Sequence, residues 1–168
     1  IVQAGAAAAG LICAVIISTF DYHALAESWP FHVAITWGLV LLTFIIGYSP
    51  LNTSNKSWIE LPMGLSIQPT ELAKISFILT FALHLDNCRD RMEEPGTILA
   101  LLAHLGAPIL LIHFQGDDGT ALIFLLIGLS MLFVAGLPRK YIFGGIACVL
   151  AAVPVLWFFI LEDYQKGR

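Results

Sequence analysis

An acid, a base and an amide are gathered at the start of one apolar segment. Pro69 fits the first position of a helix, where its missing N–H group is not needed, so a helix is predicted to begin there, with Gln68 just before it. Glu71 then lies in the first turn, near the positive end of the helix dipole, where its carboxylate could reach back to the Gln68 N–H. Lys74 follows three residues later over the same face. A carboxylate can act as a base and an ammonium group can bind an anion, so these residues are candidates for chemistry.

The same spacing also has a purely structural interpretation. Capping-box patterns are common, and the Glu71–Lys74 pair would then only close the point where the helix enters an apolar environment. Charges at the edge of such a segment are costly unless they have a partner or a function. The residues alone therefore leave both the functional and the structural interpretation open.

A second polar turn, residues 115–119, separates two further apolar segments. Gly116 and Gly119 give its backbone the freedom to bend. Thr120 or Asp118 is predicted to cap the helix that follows, by accepting from its first N–H groups. This turn is the second place where polar side chains meet the end of an apolar segment.

Asp117 in this turn is expected to make either a functional or an architectural polar contact. His113 stands four residues before it, but two ligands do not make a metal site, so we interpret His113 as a hydrogen-bonded histidine at the interface. The remaining histidines are scattered along the chain and receive no role: His23, His32, His84 and His104.

Composition indicates an integral membrane protein. Of the 168 residues, 58% are hydrophobic and 12% are charged, against roughly 45–50% and 25% in ordinary soluble domains. The mean hydropathy is +0.86. The net charge of −4 is small and scattered and includes no basic stripe, which argues against nucleic-acid binding. Cys13, Cys88 and Cys148 are far apart and are interpreted as small buried side chains.

Six apolar segments predict an all-α fold, a polytopic bundle of transmembrane helices. The connection over residues 49–69 is predicted to be irregular, and residues 21–30 form a polar break. Pro108 and Pro154 are expected to kink their helices. The predicted spans are residues 4–20, 31–48, 72–85, 98–113, 121–137 and 142–161.

Positive charges in the short connections predict the orientation. Arg89, Arg91, Arg139 and Lys140 lie in two connections that would face the cytoplasm. The connections of the other set would face outwards. That set comprises residues 56–74, 115–119 and 162–168.

Three short motifs in these outer connections resemble signatures of the SEDS family, the FtsW, RodA and SpoVE proteins. Trp58-Ile59 followed by QPTELAK at residues 68–74 resembles R-W-I and Q-P-S-E-x-x-K. QGDDGTA at residues 115–121 resembles Q-P-D-L-G-T-A, and YQKGR at residues 164–168 resembles Y-Q-x-x-R. The resemblance extends over nearly the whole chain.

The chain departs from the family pattern at a few positions. Ser57 stands where the family has Arg, although Lys56 is next to it. Gly116 replaces Pro, and Asp118 replaces Leu. These changes indicate a divergent member or a part of one, and they do not separate the elongation, division and sporulation types.

The resemblance implies a fold of about ten spans, of which residues 1–168 would be one incomplete membrane domain matching helices two to seven. It implies a multi-pass protein of the bacterial cytoplasmic membrane, a peptidoglycan glycosyltransferase that polymerises lipid II on the outer face with a class B penicillin-binding protein. The catalytic Asp would lie in a loop beyond Arg168, so no catalytic residue is expected here. The candidates for substrate binding or functional structure are Lys56, Trp58, Gln68, Glu71, Lys74, Gln115, Asp117, Thr120, Tyr164, Gln165 and Arg168.

Two other function classes remain open. One is a flippase or other transporter of a lipid-linked precursor, because intramembrane charges beside kinked helices also describe a substrate path. The other is a non-catalytic membrane scaffold that binds a penicillin-binding protein. The cofactor is left open as well, a divalent cation accompanying the lipid diphosphate being one option.

Overall fold

The computed structural model describes residues 2–49, 56–62, 65–138, 140–141 and 143–144. In this part of the chain the architecture is predominantly helical, with one short β-hairpin between the third and fourth helices. A 3-10 helix, Arg89–Arg91, follows the fourth helix. The elements in chain order are α1 (Val2–Ile17), α2 (Tyr22–Glu27), α3 (Trp29–Ile46), β1 (Ile59–Leu61), β2 (Leu65–Ile67), α4 (Pro69–Asn87), α5 (Pro95–Phe114) and α6 (Asp118–Val134).

Helices α1, α3, α4, α5 and α6 occupy the first five predicted spans. By length and composition, α3 and α5 are the described helices that could cross a membrane, and α6 is a shorter apolar helix of 17 residues. The sixth predicted span, residues 142–161, lies almost entirely outside the described residues. The helical character is therefore confirmed, and the number of spans stays a prediction.

The polar break over residues 21–30 contains a short helix, α2, which was not predicted from the sequence. Asp21 caps α2, because its carboxylate accepts a hydrogen bond of 2.9 Å from the His23 N–H. This bond and a second one from the His23 ring hold the pKa of the Asp21 carboxyl below its ordinary value. Helix α3 then begins at Trp29, with Pro30 in its first turn.

The connection between α3 and α4 is also more regular than predicted. Strands β1 and β2 pair antiparallel, with Ile59 opposite Ile67, and the isolated pair Tyr48–Trp58 closes the base of this loop. The prediction of an irregular connection was wrong at this point, although the described residues remain mostly helical. The reason is length, because strands of three residues are too short to display the period of two that identifies a strand in a sequence.

Helix α4 lies at the centre of the bundle and packs against α3, α5 and α6. Phe77 and Phe81 on α4 stack with ring centroids 5.1 Å apart, and Phe77 also packs against Phe124 of α6. All three are almost fully buried. Between α5 and α6, the side chain of Leu105 lies directly over Gly128, the close approach that small residues permit between helices in lipid.

Hydrogen bonds show which helix ends share a side of the bundle. The Gln115 amide after α5 reaches the Val40 carbonyl near the end of α3, and the Gln68 amide before α4 reaches Asp117 before α6. At the opposite end, the Tyr141 hydroxyl donates to the Glu93 carbonyl. These bonds agree with the predicted division for the connections that they join, Gln68 with Asp117 at one end and Glu93 with Tyr141 at the other.

Candidate functional site

The start of α4 was predicted correctly. Pro69 occupies the first helical turn, and Gln68 before it has the extended backbone that proline imposes, with φ −106° and ψ 107°. The Glu71 N–H donates to the Gln68 carbonyl at 3.0 Å, which closes the first turn. Thr70 is 1% exposed, so this side of the first turn packs against the rest of the bundle.

The charged pair of α4 lies at the mouth of the bundle. The Lys74 ammonium donates to the Glu71 carboxylate at 2.8 Å, with 19% of the lysine side chain and 56% of the glutamate side chain exposed. The predicted hydrogen bond from the Gln68 N–H to the Glu71 carboxylate is not formed, because this carboxylate bonds instead to the Lys74 ammonium group three residues away. The pair therefore holds a largely buried cation beside the positive end of a helix dipole.

Asp117 is the cap of α6, a role that had been predicted for Thr120 or Asp118. One carboxylate oxygen, Oδ1, accepts from the Thr120 N–H at 3.2 Å. The other oxygen, Oδ2, accepts from the Thr120 hydroxyl at 2.9 Å and from the Gln68 amide at 2.7 Å. The position of the cap follows from the turn, since Gly116 takes a positive φ of 79° and leaves Asp117 as the last residue outside the helix.

This contact joins the two motifs at atomic distance. Gln68 and Asp117 are 49 residues apart in sequence, and Asp117 is 9% exposed. The same Gln68 amide nitrogen lies 3.5 Å from the hydroxyl of Ser57, which is fully buried. Ser57 thus occupies the base of the loop, at the position where the family pattern has a longer, charged side chain.

Gln115 turns inwards, away from the charged pair. Its side chain is 6% exposed, and its amide donates to the Val40 carbonyl at 3.0 Å and to the Thr43 hydroxyl. Its carbonyl oxygen, Oε1, has no hydrogen-bond partner among the described residues. This glutamine therefore ties α5 to α3.

The remaining candidates are spread around the site. Lys56 is exposed in the loop, and Trp58 is half-buried in the pair with Tyr48. The structure thus brings together Gln68, Asp117 and Thr120, with Glu71 and Lys74 one turn along α4. Three candidates lie outside the described residues, namely Tyr164, Gln165 and Arg168.

The interpretation of His113 as a hydrogen-bonded histidine is confirmed, whereas its place at the membrane interface stays a prediction. Its ring nitrogen Nδ1 lies 2.5 Å from the Asp118 carboxylate, and both side chains are mostly exposed. Asp118 is thus the partner of a surface histidine and does not cap α6. Within the described ranges, no three histidine, cysteine or carboxylate side chains are grouped as metal ligands.

Three side-chain contacts inside the bundle were missed from the sequence. The Nδ1 atoms of His84 and His104 are 2.9 Å apart, and the Nε2 atom of His104 is 3.3 Å from the Thr80 hydroxyl. His32 on α3 contacts the Ser76 hydroxyl at 2.8 Å. A usable signal was present, since Ser76, Thr80 and His84 recur every four residues and share one face of α4.

Comparisons with known proteins agree on one family. The family model described as cell cycle protein, for FtsW, RodA and SpoVE, matches residues 1–168. The peptidoglycan glycosyltransferase MrdB of Escherichia coli (strain K12) is 31% identical over 166 residues, which are 98% of this chain and 43% of that protein. The probable peptidoglycan glycosyltransferase FtsW of Geobacter sulfurreducens (strain DL-1 / KN400) is 36% identical over 132 residues, covering 77% of this chain and 34% of that protein.

A solved structure has the same fold. It comes from work described as "Structural coordination of polymerization and crosslinking by a peptidoglycan synthase complex", and it matches 99% of this chain and 48% of its own with a TM-score of 0.83 at 24% identity. The chain spans less than half the length of these proteins.

Proposed function

Because this chain belongs to the FtsW/RodA/SpoVE family of cell cycle proteins, we propose that the protein containing these residues is a SEDS-type peptidoglycan glycosyltransferase. It polymerises lipid II into glycan strands at the outer face of the bacterial cytoplasmic membrane, during elongation, division or sporulation. Relatives that carry the name peptidoglycan glycosyltransferase support this proposal, since the MrdB of Escherichia coli aligns with 98% of the chain.

The observation that carries the proposal is the Glu71–Lys74 pair. A lipid diphosphate needs cations where its negative charge lies, and the growing charge of the leaving diphosphate needs them most. The Lys74 ammonium is held by Glu71 at 2.8 Å in the first turns of α4, where the helix dipole adds positive potential. We assign Lys74 to the diphosphate and Glu71 to the positioning of Lys74.

The general base that accepts the proton of the sugar hydroxyl is proposed to come from outside this chain, in the loop expected after Arg168. Of the acidic residues in the candidate site, Glu71 is engaged with Lys74 and Asp117 with its three donors. These 168 residues are therefore the part of the protein that binds and orients the substrate.

The proposed protein partner is a class B penicillin-binding protein, and the proposed surroundings are membrane lipid, with no nucleic acid. The similar solved structure comes from work on polymerisation and crosslinking by one peptidoglycan synthase complex, which supports a partner of this kind. The proposed location is the cytoplasmic membrane, with several spans of which α3 and α5 are the best supported.

The test uses the full-length protein with its penicillin-binding protein and measures lipid II polymerisation on a gel. Lys74→Met is expected to lower the rate at least about tenfold, because the charge facing the diphosphate is lost. Glu71→Gln or Lys74→Met alone leaves one charge unpaired at a partly exposed site, costing up to about 1 kcal/mol of stability, whereas the double change is milder for folding.

The control is Lys140→Met, an exposed lysine at the opposite end of the bundle. It is expected to polymerise at the wild-type rate. Wild-type rates in well-folded Lys74→Met and Glu71→Gln variants would refute the role of the pair.

A lipid-linked precursor transporter is the second candidate, because of the intramembrane contacts His84–His104 and His32–Ser76. Ionisable side chains within a bundle often mark a path for a substrate or a proton. The same purified protein distinguishes the two functions. Movement of labelled lipid II across vesicles without polymer would favour the transporter.

A further inference from the structure

Asp117 is a buried residue whose carboxylate contacts only neutral donors among the described residues. It is 9% exposed, and its three hydrogen bonds within that part of the chain come from the Thr120 N–H, the Thr120 hydroxyl and the Gln68 amide. Among the described residues, no lysine, arginine or histidine forms an ion pair with it. A buried side chain that faces neutral donors is suited to holding elements together by hydrogen bonds.

The contact lies where it can set the position of the charged pair. Gln68 is the residue from which α4 starts, and its carbonyl accepts from the Glu71 N–H at 3.0 Å. Glu71 in turn holds Lys74. A rigid first turn therefore links the Asp117 carboxylate on one helix to the ammonium group on another.

We propose that Asp117 is a positioning residue that acts through hydrogen bonds and not through its charge. The hydrogen bond between Asp117 and Gln68, which we call the strap, holds the first turns of α4 and α6 together. It thereby fixes where Glu71 and Lys74 meet the substrate. The activity part of this inference rests on the proposed glycosyltransferase function. The strap itself is a property of the fold and is measurable without substrate.

The geometry allows the donor and the acceptor of the Gln68–Asp117 hydrogen bond to be exchanged. An Asn at position 117 keeps the cap, since Asn and Asp are equally good there, and its Nδ2 takes the place of Oδ2. The Gln68 amide then only needs to rotate by half a turn, so that its oxygen accepts from Nδ2 and from the Ser57 hydroxyl. Nδ2 has two hydrogens, and the second one meets the Thr120 oxygen.

A change at Gln68 to glutamate cannot be accommodated by such a rotation, because a carboxylate has no N–H group. Gln68→Glu puts a second carboxylate 2.7 Å from the first, so the two negative charges repel each other and no amide hydrogen is left to bond them. Adding Asp117→Asn supplies the missing donor. The single and double variants therefore separate a hydrogen-bonding role from a role of the negative charge.

The experiment measures lipid II polymerisation and thermal unfolding of the full-length protein with its penicillin-binding protein. Asp117→Asn is expected to stay within about threefold of the wild-type rate, whereas removing a general base or an essential charge costs 10²-fold or more. Gln68→Glu is expected to lower the unfolding temperature by about 4 °C or more. It should also raise the KM for lipid II more than it lowers kcat, because the binding pair is displaced.

The decisive variant is Gln68→Glu/Asp117→Asn, which should regain the unfolding temperature and the KM. The matched control is Asp118→Asn, the neighbouring acid that is exposed and bonds to His113, with no expected effect. A folded Asp117→Asn protein that loses activity tenfold or more would overturn the proposal, as would a double variant as impaired as Gln68→Glu alone.

The unfolding data keep the two proposals apart. If the wild-type protein makes no polymer, the glycosyltransferase function fails. The unfolding temperatures of the wild type, the single variants Asp117→Asn and Gln68→Glu and the double variant still report the strap. Recovery of stability in the double variant then supports it, and equal losses in Gln68→Glu and the double variant refute it.

Discussion

Gln115 illustrates how a motif residue at a helix end can serve the bundle and not the substrate. Its amide nitrogen has two acceptors, the Val40 carbonyl and the Thr43 hydroxyl, while its oxygen is buried without a described partner. Burying an unpaired oxygen costs free energy and so reduces what the two bonds contribute to stability. Gln115 therefore stabilises the bundle through its N–H donor and not through its oxygen acceptor.

This asymmetry predicts opposite outcomes for two replacements of similar size. Gln115→Glu places a carboxylate against the Val40 carbonyl and should lower the free energy of unfolding by about 2–4 kcal/mol. Gln115→Met removes both bonds together with the unpaired oxygen and should cost less than about 1 kcal/mol. Thermal unfolding in detergent compares the two. A Glu variant as stable as the Met variant would show that Gln115 does not act as a donor.

At the scale of elements, packing between α5 and α6 depends on one glycine. A Cβ at Gly128 would overlap the Leu105 side chain, which is 3% exposed and has little room to move. Gly106, one residue further along α5, has open space around its Cα. Association of helices in lipid depends on close packing because lipid tails are as apolar as the side chains. The two glycines therefore have different roles.

Alanine substitutions should separate these roles. Gly128→Ala is expected to destabilise the protein by about 1–2 kcal/mol, because Leu105 must leave its packed position. Gly106→Ala is expected to be neutral or stabilising by up to about 1 kcal/mol, since alanine favours the helix and meets nothing. Unfolding temperatures measured side by side test the difference. Equal temperatures would mean that α5 and α6 do not pack as closely as described.

At the scale of the whole molecule, the bundle has two chemically different ends. One end carries the loop with β1 and β2, the start of α4 and the turn around Asp117. The other end carries the charged 3-10 helix Arg89–Arg91 and the Glu93 carbonyl that accepts from Tyr141. Positive charge at a membrane protein's short connections marks the cytoplasmic side. The end with the strap should therefore face outwards.

Single cysteines test this orientation in the full-length protein, with Cys13, Cys88 and Cys148 replaced by alanine. Cysteines at Glu60 and Asp118 should react with a membrane-impermeant thiol reagent in intact cells, since both positions are exposed at the outer end. A cysteine at Glu93, exposed at the opposite end, should react only after permeabilisation. The reverse pattern would place Lys74 in the cytoplasm and remove the glycosyltransferase proposal.

The sequence by itself determined the features that depend on near neighbours. Pro69 marked the start of α4, since the first turn is the helical position where a proline loses no hydrogen bond. The composition predicted a bundle in lipid, and the first five apolar segments became helices. The motifs at residues 68–74 and 115–121 also predicted the family and two parts of the candidate site.

The tertiary structure decided which polar groups meet. Asp117 could have bonded forwards to its own helix only, but the packing of α4 beside α6 also brought it to Gln68 across 49 residues. The pairing of His84 with His104 depends in the same way on α5 lying against α4. Local patterns set helix periods and caps, whereas a bond between distant residues needs donor and acceptor within about 3 Å, and only the packed bundle fixes that distance.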